Sequence, residues 1–521
     1  MPDAACRQHT GRLRGGSKMI SMTYRKLSIS LSALLVAGCT INPEKLTTAE
    51  LASMASNNLS QVTIDQEPVQ GSIDLYEAMA RALKYNLDHK VEVFETVVRT
   101  AELSAAQYDM LPGLAVSAGY GARDNYSASS SFNLVTRTPN FGASTSQERE
   151  SVVAEAALSW NVLDFGLSYV RAQQSADKVL IAAETRRKVA NRIIEDVRTA
   201  YWRALAADRL IRKLNALEGR TRKALASTDK ISTEGQASPI TSLTYQRELL
   251  EVRRTIQELQ RDLTIAKQQL GALMNLQPGE NFQLVAPHRG GVLRTPGKVR
   301  SMIWTALQNR PELRELEYQK RINLKEADAA LLSMLPGIQL YAGPNFDSND
   351  FLLNNNWMGW GAKATGNLLK ILKYPAQKAV IDKQEELLEQ RGLAITMAIM
   401  TQVHVSNIRF QHLRKELASA TQYFDVQSRL LGQMKAQTAA ERISEQTLIR
   451  EEMNTLLAEL RRDLAYSGLQ NAYANLYASM GMDGYVSDID FQIPVKELSQ
   501  SLANLWQERG SGRAALNAPE I

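Results

Sequence analysis

The chain has 521 residues, 44% of them hydrophobic and 6% aromatic, with a formal net charge of +6. The basic excess is local: residues 1–38 hold six Lys/Arg against one acid, Asp3, and without them 55 basic residues face 54 acidic ones, which removes the main case for a nucleic-acid partner. The two cysteines, Cys6 and Cys39, both lie near the N-terminus, so the body of the chain has neither a disulfide nor a thiolate metal site.

Tyr24-Arg25-Lys26 is a short positive region, Leu27 to Ala37 is an apolar run, and Val36-Ala37-Gly38-Cys39 ends it with small residues before a cysteine. This reads as a secretory signal over residues 1–38, too short to anchor in a bilayer. Met19 and Met22 are better start positions, so residues 1–18 read as an extension. The pattern resembles a bacterial lipobox, which implies acylation of Cys39; Thr40 following it implies sorting to the outer membrane. Residues 39–73 then form a lipidated N-terminal segment. No later stretch has eighteen consecutive apolar residues, so any crossing of a membrane falls to strands.

No glycine or proline lies between Gly71 and Pro112, which predicts a helix from about Asp74 to Met110, stopped by Pro112-Gly113. Period-two alternation follows: Leu114, Val116, Ala118 and Tyr120 on one face, Ala115, Ser117, Gly119 and Gly121 on the other. Ala154, Ala156, Leu158, Trp160 and Val162 alternate likewise with Glu155, Ala157, Ser159 and Asn161. The Ser-, Asn- and Gly-rich residues between them, Arg123 to Glu150, read as an exposed loop. A long helical arm from about Ala172 to Thr233 comes next, then a returning helix whose Leu249, Val252, Ile256, Leu259, Leu263, Ala266, Leu270 and Leu273 keep the 3,4 spacing of a left-handed coiled coil. Sixty helical residues span roughly 90 Å, a length foreign to compact enzymes.

The order then repeats. Met110-Leu111-Pro112-Gly113 recurs as Met334-Leu335-Pro336-Gly337 and Ala82-Leu83 as Ala306-Leu307, both 224 residues on; Ala172-Gln173 recurs as Ala376-Gln377 after 204. The second copy has strands led by Ile338, Leu340 and Ala342 and by Met358, Trp360, Ala362 and Ala364, a loop over Pro344 to Asn356, and an arm from about Ala376 to Gln433. Residues 74–276 and 299–482 are therefore two tandem repeats, joined by 277–298 and followed by a tail, 483–521, with both connecting segments set against the middle of the helices. Strands of about ten residues, apolar on one side only, suit a transmembrane β-barrel. Four strands cannot close one, so the chain must oligomerise: two copies give eight strands and a filled interior, three give twelve and a lumen.

The lipobox, the repeated helix-strand-strand-helix-helix unit, the Leu-Pro-Gly before each first strand, and the closing Leu273-Met274-Asn275-Leu276 and Ser479-Met480-Gly481 together resemble the TolC family of outer-membrane efflux channels, over roughly Leu75 to Met482. The resemblance implies an α+β membrane protein. It would be a homotrimer whose transmembrane β-barrel, four strands per protomer and twelve in all, stands over a long α-helical coiled-coil barrel in the periplasm. The implied partners are a periplasmic adaptor (membrane fusion) protein, an inner-membrane pump and outer-membrane lipid. The helix tips that would meet the adaptor are Gly235, Gln236, Ala237 and Ser238 in the first repeat, with Ser238 able to cap a helix opening at Pro239. In the second they are Ala436, Gln437 and Thr438, where the glycine is lacking. Candidates for narrowing the periplasmic entrance are Glu441, Arg442, Ser444 and Glu445; a carboxylate ring there would repel itself unless bonded to bases on neighbouring helices.

No catalytic constellation, cofactor motif or metal site is legible: His9, His89, His288, His404 and His412 are scattered, and neither a P-loop nor a GxGxxG motif occurs. The reading is a passive, non-enzymatic conduit for drugs or other small molecules. Its rivals are the outer-membrane channel of a type I protein secretion system and a non-conducting periplasmic coiled-coil scaffold lipoprotein.

Overall fold

The computed structural model describes residues 44–64, 66–234, 238–285, 293–367, 369–439, 444–482 and 493–510. Cys39 and the expected secretory signal, residues 1–38, lie outside them. The chain forms two compact units divided between Ile64 and Asp65.

Among the described residues the first unit contributes one helix, α1 (Thr48–Gln61), opened by a capping box in which Thr47 Oγ1 accepts from the Glu50 N–H and Glu50 accepts from the Thr47 N–H. The Thr47 N–H and, after it, the Thr47 hydroxyl donate to the Glu50 carboxylate and hold it below its ordinary range.

In the second unit β1 (Ser72–Ile73) precedes α2 (Leu75–Tyr85) and α3 (Leu87–Tyr108). The single predicted helix is thus two, and the break is at Asn86. Its backbone is extended (φ −60°, ψ 128°), and its side chain accepts from the Asp88 and His89 N–H groups. A residue that caps a new helix with its own side chain competes with continuing the old one. Next come β2 (Gly113–Ala122), β3 (Ala128–Asn133), β4 (Thr138–Thr145), β5 (Glu150–Asn161), α4 (Val162–Thr233) and α5 (Pro239–Leu273). The expected loop Arg123 to Glu150 carries a β3–β4 hairpin of its own.

The second repeat follows β6 (Gln283–Leu284) and reads α6 (Val299–Asn309), α7 (Pro311–Leu332), β7 (Gly337–Asp347), β8 (Asn356–Thr365), α8 (Leu369–Ala439) and α9 (Glu445–Ser479); α10 (Val495–Gly510) closes the described chain. The arms α4 and α8 have 72 and 71 residues, each over 100 Å at about 1.5 Å per residue. Both start earlier than predicted. Helix α4 starts directly from β5, and α8 takes Pro375 inside its second turn, where the missing N–H forfeits one bond, to the Ile371 carbonyl. Strand β7 likewise runs past Pro344 to Asp347; the proline falls where β5 and β7 leave a gap in their pairing.

Two of the helical columns are built in pieces. Asn86 donates to the Leu273 carbonyl at 3.2 Å, seating the start of α3 on the end of α5. Arg310 donates to the Ala478 carbonyl at 3.2 Å, seating the start of α7 on α9 in the same way, and Arg187 of α4 donates to the Asn309 carbonyl at 3.1 Å, holding the end of α6 against that arm. Helices α5 and α9 end in the same turn: the Leu276 N–H reaches the Gly271 carbonyl and the Met482 N–H the Tyr477 carbonyl, with Asn275 (φ 58°) and Gly481 (φ 67°) in the left-handed conformation.

The main sheet is antiparallel in the order β2-β5-β7-β8. The helices continuous with those strands pack in the same order, α3 on α4, α4 on α7, α7 on α8, while α5 and α9 pair with α4 and α8. Register puts the odd-numbered residues of all four strands on one face, among them Ser117, Glu155, Asn345 and Lys363. The other face is apolar, from Val116 to Trp360, which are 75% and 84% exposed. The buried core lies elsewhere. One cluster joins α2, the middle of α4, the end of α5 and α10; a second joins α6, the middle of α8 and the end of α9; a third follows the seam of α4, α5 and α9. On α5 the predicted seam residues Leu249, Ile256, Leu263, Ala266 and Leu270 are buried.

Candidate functional site

The helix tips are where the chain offers charged groups in an ordered array. Gly235, Gln236, Ala237, Glu441 and Arg442 lie outside the described residues. Ser238 stands at the N-cap of α5 with Pro239 at the first helical position, but its hydroxyl makes no capping bond. Its carbonyl accepts from the Ser242 N–H instead. Ala436, Gln437 and Thr438, expected in the turn, belong to the last turns of α8, and the Thr438 hydroxyl donates to the Met434 carbonyl at 2.9 Å. Without a glycine to take the left-handed conformation, α8 runs further than the sequence signals indicated.

Ser444 caps α9, its Oγ accepting from the Thr447 N–H at 3.3 Å, and Glu445 is the first helical residue, where a carboxylate favours the helix dipole. Glu445 is not free to form a ring alone: Arg220 on α4 pairs with it at 2.6 Å and also with Glu452. Lys435 of α8 reaches Glu452 from the other side at 3.2 Å. Burial pulls the Arg220 guanidinium down, and the hydrogen bonds and charges of Glu445 and Glu452 outweigh that and hold it above its ordinary value.

The array continues up the same seam, with Lys213 to Glu459 at 2.7 Å and Arg209 to Asp463 at 3.3 Å. Positions 445, 452 and 459 on α9 are spaced by seven, as are 213 and 220 on α4, the heptad spacing of partners along a coiled-coil flank. This ladder joins a helix of the first repeat to one of the second. Sequence reasoning caught only its lowest rung, Glu445; the heptad spacing of acids against bases was the signal that could have found the rest.

Among the described residues no three His, Cys, Asp or Glu side chains are grouped to hold a metal ion. His89 is buried with Nδ1 2.7 Å from the Leu83 carbonyl, a packing role, and burial lowers its pKa. No described helix is long and apolar enough to cross a membrane.

Residues 79–276 match the family model of the outer membrane efflux proteins. The first repeat is thus similar to the outer membrane efflux proteins. The matched segment begins within α2 and closes at the Asn275 turn that ends that repeat. Solved structures share the fold over most of the chain. The Campylobacter jejuni CmeC outer membrane channel superposes with a TM-score of 0.63 at 14% identity, covering 88% of this chain and 98% of its own. The open state of the Neisseria gonorrhoeae MtrE outer membrane channel gives 0.58 at 14%, over 85% and 98%, and CusC gives 0.59 at 16%, over 81% and 96%. No curated protein sequence matches the chain significantly. The fold is thus that of TolC-like outer-membrane channels, in which four strands per chain leave the barrel open.

Proposed function

We propose that three copies of this chain close into a channel through the outer membrane and periplasm, exporting small molecules as the outer part of a tripartite efflux system. The observation that carries this reading is the agreement of the two layers at their edges. The sheet stops at β2 on one side and β8 on the other, both with unpaired backbone, and the helical layer stops at α3 with α5 on the first side and at α8 on the second. Leu87, Val91, Phe94 and Val98 run exposed at 4,3,4 spacing along α3, and Val380, Leu387, Leu393 and Met397 are exposed along α8. Two unlike edges with matching needs make a head-to-tail interface, which closes as a ring.

Three copies then give twelve strands, with the apolar face toward lipid and the face of Ser117, Glu155, Asn345 and Lys363 toward water. Exposed apolar area on this scale fits lipid better than water. Acylation of Cys39 would anchor the assembly, and an adaptor on the helix tips would couple it to an inner-membrane pump. The Arg220–Glu445–Glu452–Lys435 cluster supports a gate in which the hairpins of the two repeats are tied at the entrance and part when an adaptor docks. Single-channel recording of the mature protein in planar bilayers tests the reading. Discrete conductance steps are expected, and a membrane-inserted protein silent even when Arg220 is replaced by alanine would refute it.

A further inference from the structure

On the polar face of the sheet the bulkier side chains of β5 and β7 lie down across glycines. Tyr341 pairs with Gly361 of β8, and a methyl group added at Gly361 would stand 2.5 Å from the Tyr341 hydroxyl oxygen and 2.7 Å from its Cζ. No carbon tolerates that approach, so the ring occupies the space a side chain at 361 would take. Asn345 does the same over Gly359, its Nδ2 2.9 Å from the added methyl and donating to the Gly343 carbonyl at 3.2 Å. Asn161 lies over Gly337, its Nδ2 3.0 Å from the added methyl. The remaining residues of this face on β2 are Gly113, Ala115, Ser117, Gly119 and Gly121.

We propose that the Tyr341–Gly361 pair sets the free bore of the barrel and with it the largest solute the channel passes. The glycine is a berth that keeps the ring against the wall; any side chain at 361 turns the ring upright, and in a closed assembly every copy does so at the same height. This rests on the reading of the polar face as the lumen. An aromatic ring laid over a strand glycine also stabilises a sheet, so stability alone cannot distinguish the bore role from a structural one.

The test uses the full chain in intact outer membrane with Thr365→Cys as a reporter on the same face, on the helix side of the Tyr341–Gly361 pair so that a reagent from outside must pass the ring, labelled from outside by a small charged maleimide and by a maleimide carried on a polyethylene glycol chain. The small reagent is expected to label the reporter at one rate in every background. Gly361→Ala should slow the polymer reagent severalfold, Gly361→Ala with Tyr341→Ser should restore its rate, and Tyr341→Ser alone should leave it unchanged. An unchanged polymer rate in assembled Gly361→Ala overturns the proposal. So does a severalfold rise in Tyr341→Ser alone, which needs no substitution at the glycine and would mean that the ring already stands in the bore. A reporter that the small reagent never reaches overturns the lumen reading itself, and this inference with it.

Discussion

Replacing Arg220 by alanine should open the entrance. Its pair with Glu445 joins side chains 37% and 49% exposed, where solvent screening leaves a few tenths of a kcal/mol to about 1 kcal/mol. Glu452 is different, since its side chain is only 14% exposed and, without Arg220, keeps Lys435 alone. An acid left under-compensated in that setting raises the total to about 1–2 kcal/mol per chain. For three chains dilating together that is roughly 3–6 kcal/mol, a factor of about 10²–10⁴ in the closed-to-open ratio. The assay is open probability and step size of single channels at moderate salt. Arg220→Ala should conduct more often and in larger steps, and the charge swap Arg220→Glu with Glu452→Arg should return part of the way to the parent. Arg220→Ala behaving as the parent, or a swap as open as the single change, would refute the argument that this rung holds the hairpins together.

The lipid-facing reading separates neighbours on one strand: Leu158→Arg, on the apolar face, should cost about 2–4 kcal/mol of insertion and deplete the assembled form, whereas Ser159→Arg should be tolerated, as read by heat-modified mobility on gels. Gly481→Ala would place a methyl 2.6 Å from the Asn309 carbonyl carbon at φ 67°, and should lower stability by about 1–3 kcal/mol, measured by thermal unfolding in detergent, with little effect expected from the same change at Gly219, which has no neighbour within 4 Å. Burial holds the His89 imidazole neutral below its ordinary 6.5, so protonation favours the unfolded chain. Stability should therefore fall as pH drops below about 6.5 and this part of the dependence should vanish in His89→Gln, checked by unfolding between pH 5 and 7.

Much of the architecture was legible because it is periodic. The alternation of Leu114 to Gly121 and the heptads from Leu249 to Leu273 each report one face of one element, the recurring Leu-Pro-Gly marks where β2 and β7 begin, and the structure shows both the faces and the starts as read. What escaped was set by contacts between distant elements. Asn86 breaks a helix that has no glycine or proline because its side chain serves α3 while its amide holds the end of α5, 187 residues away. Pro375 stays within α8 because it falls early in a helix long enough to absorb one missing hydrogen bond. Of the ladder between α4 and α9 the sequence showed only Glu445, since a lone carboxylate looks like any solvated charge until Arg220, 225 residues earlier, is brought against it. The β3–β4 hairpin was hidden by composition: its serines, threonines and asparagines carry no apolar alternation from which to read a strand.

The central claim is that unlike edges of one chain meet to close a ring of three. Native mass measurement of the mature protein extracted from outer membrane in mild detergent tests it most directly. The account predicts a single species of three chains. A stable monomer, or a dimer whose eight strands would leave no lumen, would contradict it.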